Sequence, residues 1–113
     1  MKMIRTTIFP STARQAFKIL DGLTNPEEKS DFLSQTKSEF VGSQHFGLGS
    51  WIRNNWIYGR EKETEEEIKS RQECLDMLTA AQHGDPIIAD PDWVSSDFLG
   101  RYYDHLKRAA SQY

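Results

Sequence analysis

The chain has a single cysteine, Cys74, among 113 residues. It cannot close an internal disulfide, and no Cys/His cluster with zinc spacing surrounds it. A reducing environment, the cytoplasm, is therefore expected, with no metal and no other cofactor. No stretch approaches the ~20 consecutive apolar residues that cross a bilayer. Residues 1–8 lack the apolar core and cleavage site of a secretory signal. Proline is scarce, at four residues. With no Pro/Gly/Ser linker and no internal repeat, residues 1–113 read as one domain.

Clustered Lys/Arg is also missing. The net charge is −3 and it is unevenly spread. Residues 1–60 hold eight Lys/Arg against five Asp/Glu, or +3; residues 61–113 hold six against twelve, or −6. An acidic half without a basic stripe argues against nucleic acid and favours a protein partner with a basic surface. Apolar content is 37%, with 12% aromatic, enough for a real core and against disorder.

What the sequence does have is one dense segment, His45-Phe-Gly-Leu-Gly-Ser-Trp-Ile-Arg-Asn-Asn-Trp-Ile-Tyr58. It holds two of the three tryptophans. At 100° per residue, His45, Leu48, Gly49, Ile52, Asn55 and Trp56 share one face, with Trp51 nearly opposite and Phe46 and Ile57 to a third side. A helix apolar on several sides is a buried one. A central helix over about 44–58 is expected, its glycines marking close approach of another backbone or an aromatic ring.

Around it the pattern predicts four to five helices in an all-α, compact bundle. Residues 1–10 form an extended lead-in. Ala13, Ala16, Phe17 and Leu20 make a one-sided stripe after Ser11 or Thr12, with Gly22 as terminator. Asn25-Pro-Glu-Glu28 is a helix start. Residues 34–43 fit no clear pattern. Residues 60–83 form a charged helical insert ending at His83 and Gly84. Asp90-Pro-Asp-Trp-Val-Ser-Ser96 reads as a turn before a last helix over about 96–110.

The run His45-Phe-Gly-Leu-Gly-Ser-Trp-Ile-Arg-Asn-Asn-Trp56 resembles the H-F-x-L-G-x-W-I-R-N-N signature of an uncharacterised, mostly bacterial domain family. Pro91-Asp-Trp-Val-Ser95 and Tyr102-Tyr-Asp-His-Leu106 resemble its second element. The charged insert is longer than that pattern, and Trp93 stands where the family carries an acid. The resemblance implies a small helical domain and no assigned activity.

Two groups of residues are candidate sites. His45, Arg53, Asn54 and Asn55 form either a ligand cleft, with the guanidinium on a carboxylate or phosphate, or a structural cluster. In the second case Arg53 pairs with a buried acid such as Asp92 or Asp97, and the Arg and Asn side chains hold the 91–95 turn. Glu63, Glu65, Glu66 and Glu67, with Trp93 and Tyr103, form a candidate protein-binding surface; Tyr102 and Tyr113 belong to the same aromatic-rich part. No catalytic set stands out. His45, His83 and His105 lack metal spacing, Gly42, Gly47 and Gly49 lack the context of a phosphate loop, and acidic neighbours Glu73 and Asp76 disfavour a Cys74 thiolate. The expected function is non-catalytic binding of another protein, in the manner of a bacterial or phage regulator, inhibitor or immunity-type protein. The alternative is a small-molecule or enzymatic cleft around His45, Arg53 and Asn55.

Overall fold

The computed structural model describes residues 8–59, 62–79 and 90–111. Their regular structure is all helical, with no strand among the described residues. In chain order the helices are α1 (Ala13–Leu23), α2 (Pro26–Leu33), α3 (Lys37–Ser43), α4 (Leu48–Ile52), a π-helical turn (Arg53–Ile57), α5 (Glu65–Thr79) and α6 (Pro91–Ala110).

Local chemistry sets most of the helix starts. The Thr12 hydroxyl accepts from the Gln15 N–H and opens α1. Asn25 and Glu28 cap each other's backbone reciprocally, and Pro26 occupies the first turn of α2. Thr36 and Glu39 repeat that capping box at α3. Each box satisfies two amide donors that a helix start otherwise leaves bare. Thr64 accepts from the Glu67 N–H at α5. Asp90 accepts from the Asp92 N–H at α6, with Pro91 next.

Three boundaries differ from expectation. Gly22 lies inside α1, which ends where Thr24 turns extended and its hydroxyl donates to Leu20 O. The segment 34–43 is a helix from Lys37 onward. The last helix starts at Pro91, five residues before the expected 96, because Asp90-Pro91 caps it as Asn25-Pro26 caps α2. The expected end at His83 and Gly84, like Tyr113, lies outside the described residues.

The central segment is the largest departure. It is not one helix over 44–58. Residues 44–47 form a turn in which Gln44 O accepts from the Gly47 and Gly49 N–H groups. Helix α4 then widens, and the Tyr58 N–H bonds Arg53 O, five residues back. In such a turn residues five apart stack much as residues four apart do in an α-helix. Trp51 and Trp56, placed far apart by α-helical geometry, therefore meet edge to face at 5.0 Å, both buried. The expected close approach is real at Gly49: a Cβ there would lie 3.0 Å from Gln44 O and 3.1 Å from Arg53 Nη1.

The core sits around α6. This helix packs on α2, α3, α4, the π turn and α5, burying Val94, Phe98, Leu99, Tyr102, Tyr103 and Leu106. Phe17 stacks on Phe98 at 5.2 Å, and Phe40 lies between Phe32 and Tyr103. Cys74 and Leu78 bring α5 into the same cluster. None of the described helices is long and apolar enough to cross a membrane.

Candidate functional site

The Arg53 side chain leaves the π turn and enters the junction between the 44–47 turn and the start of α6. It is 6% exposed. Nη1 donates to Ser95 Oγ at 2.9 Å, Nη2 donates to His45 O at 2.7 Å, and Nε lies 3.5 Å from Asp92 Oδ1. Ser95 in turn donates to Asp92 O. A planar guanidinium suits this task because its donors diverge in one plane. The acid is Asp92; Asp97 is not a partner. Asp92 sits at the surface, so the pair is a buried cation meeting an exposed carboxylate.

His45 places Nε2 3.9 Å from Asp92 Oδ1, and its ring meets Phe46 edge to face. Phe46 is 85% exposed. Asn55 is buried and donates to Trp51 O. Asn54 diverges to the surface, with a 3.3 Å bond to Ser50 Oγ. Asn54 thus does not converge with Arg53. The guanidinium is spent on its own chain and is not offered to an incoming anion.

The candidate protein-binding residues divide. Glu65 and Glu66 are exposed in the first turn of α5. Glu67 is half-buried and caps that helix with Thr64. Trp93 is half-exposed. Glu63 and Tyr103 do not belong to the surface. The Glu63 side chain is 4% exposed and receives Arg71 Nε at 3.0 Å, against Gly59. Tyr103 is buried, and its hydroxyl donates to Gln35 O at 2.6 Å.

A second polar hub carries no signal in the sequence. Asp21 on α1 accepts from the Tyr102 hydroxyl at 2.8 Å and lies 3.4 Å from His105 Nε2 and 3.6 Å from Lys29 Nζ. Phe17 stacks on the His105 ring at 4.7 Å. His105 is therefore paired with Asp21, not with its chain neighbour Asp104, which holds Lys37 at 2.8 Å. Burial, first of all, pushes the Tyr102 phenol well above its ordinary range, aided by the negative charge of Asp21. Tyr102 stays a neutral donor that ties α6 to α1.

The described residues contain no group of three or more potential metal ligands. Cys74 is wholly buried, and burial pushes its thiol up to about 12. The cause is desolvation; Glu73 and Asp76 point outward. The native protein is expected to resist iodoacetamide at pH 8, with labelling appearing together with unfolding in a denaturant series. A thiol raised in the folded state adds stability that is intact below its unfolded value of about 8.5 and is lost as pH rises toward about 12, since the unfolded chain sheds the proton first.

Residues 9–77 match the family described as a domain of unknown function, DUF6794. The match covers more than half of the chain. The chain belongs to this family. No curated protein and no solved structure is significantly similar to it. Membership in DUF6794 brings no activity with it. The matched span runs from the lead-in through most of α5 and includes Arg53, yet both α6 partners of Arg53, Ser95 and Asp92, lie beyond its end.

Proposed function

We propose that the protein acts without chemistry of its own, by binding a partner protein that presents a basic surface. The outer face of α5 carries the reading. Glu65, Glu66, Glu73 and Asp76 are exposed there, with Lys69 as the one exposed cation of the helix. Ile68, 48% exposed, lies at the edge of this acidic face. Exposed apolar surface beside charged residues is common at protein contacts, and surface acids steer a basic partner at long range. Regulation, inhibition or an immunity-type role in a bacterial or phage setting fits such a surface, as does a cytoplasmic location with the lone thiol buried. The H-F-x-L-G-x-W-I-R-N-N segment is part of the same proposal, as the family's structural mark.

The test is retention of host proteins on the tagged chain at low and high salt, beside the double variant E65K/E66K. Wild type should hold a basic protein at low salt and lose it at high salt. The double reversal should weaken that complex by about tenfold or more. Glu63 and Glu67 are left intact because they hold Arg71 and the helix cap. Equal retention by both proteins would sink the acidic-surface reading.

A further inference from the structure

A cleft of about 460 Å³ opens between α3 and α6, lined by Lys37, Ser38, Val41, Ser96, Asp97 and Arg101, with Gly100 also on its wall. Gly100 leaves room for the Lys37 stem: a Cβ there would lie 3.0 Å from Lys37 Cε. The size falls in the lower range of small-molecule sites.

Its charges are arranged unusually. Asp97 and Arg101 stand four residues apart on one helix, the spacing at which opposite charges pair. They do not pair. The Arg101 guanidinium lies over the Phe98 ring at 5.1 Å and donates to Leu78 O at 3.4 Å. Asp97 Oδ2 is shielded from solvent and has no hydrogen-bond partner among the described residues. A buried carboxylate oxygen without a donor costs free energy. Lys37 is committed to Asp104 at 2.8 Å and leaves that oxygen bare. One wall of the cleft thus holds a separated negative and positive charge, with the Ser38 and Ser96 hydroxyls nearby.

We propose that this cleft binds a small zwitterion, a free amino acid or close analogue, its ammonium on Asp97 and its carboxylate on Arg101. Binding moves the Asp97 side chain to another staggered rotamer, out of a position in which one oxygen goes unsatisfied. A simple amine meets the repulsion of Lys37 and Arg101, and a simple carboxylate meets that of Asp97. The zwitterion answers both.

Backbone amide NMR of the intact chain tests this, titrated with glycine, L-serine, L-lysine and L-glutamate, and with methylamine and acetate as single-charge controls. At least one amino acid should shift the amides of Lys37, Ser38, Asp97, Gly100 and Arg101, while the controls leave them in place. Affinity should fall by about tenfold or more in D97N and in R101Q, the loss of one charge-assisted contact. The proposal is overturned if none of the amino acids moves these amides, if a control moves them equally, or if R101Q binds as wild type does. Should D97N fail to fold, the wild-type titrations and R101Q still decide.

Discussion

A chain ended at Met77, where the family match stops, is expected not to fold. It should show little helix by circular dichroism and collapsed amide dispersion, with both restored when the chain is extended through α6. The reason is the placement of the core. Helix α6 contributes Val94, Phe98, Leu99, Tyr102, Tyr103 and Leu106 to it. Burying a large apolar side chain is worth ~1.5–3 kcal/mol, so losing six forfeits ~10 kcal/mol or more, against a total stability of ~5–15 kcal/mol for a typical domain. The loss is also qualitative. Phe40, Leu48, Ile52 and Trp56 are wholly buried, and α3, α4 and the π turn all pack on α6. Isolated helices as short as α2, α3 and α4 are marginal in water without a partner face. A folded 1–77 fragment would mean that the matched span carries a core of its own.

The second large effect is at Arg53. Substitution by Met is expected to cost about 2–4 kcal/mol in urea unfolding, because Ser95 Oγ and His45 O lose their charged donor inside a largely buried junction. Arg53→Lys should cost nearly as much. One ammonium cannot reach Ser95, His45 and Asp92 from a single position, whereas a guanidinium spans them. Asn54→Ala, next door and exposed, should stay within about 0.5 kcal/mol. If Arg53→Lys were silent, the guanidinium geometry would be irrelevant and only the buried stem would matter. If Asn54→Ala matched Arg53→Met, the exposed amide would be holding the turn.

Particular residues show what the sequence made legible. Asn25-Pro-Glu-Glu28 announces α2, and the cap forms as read. Thr36-Lys-Ser-Glu39 and Asp90-Pro91 use the same grammar. They are harder to place because the apolar spacing that follows Thr36 is sparse, and because the residues after Asp90 also make a plausible turn. The π turn is illegible for a physical reason. Periodicity assumes a constant angle per residue, and a single wider turn breaks the phase between Trp51 and Trp56. Arg53 as a staple onto residues 92–95 follows from chemistry, since a buried guanidinium must be paired. The Asp21 hub does not follow, because nothing local links Asp21 to Tyr102 and His105. Glu63 shows the limit of composition: among the described acids of this stretch, it is the one drawn inward by Arg71.

Helix α6 also sets the order in which the molecule can assemble. Tyr102 reaches Asp21 across 81 positions, Tyr103 reaches Gln35 across 68, and Lys37 reaches Asp104 across 67. Most all-helical proteins fold quickly because their contacts are close in sequence, while long-range closure carries an entropy cost that slows the search. This protein combines helical secondary structure with a core that is closed by contacts distant in sequence. During synthesis the early helices emerge before the α6 face on which they pack, so part of their apolar surface stays uncovered until residues near 106 have left the ribosome.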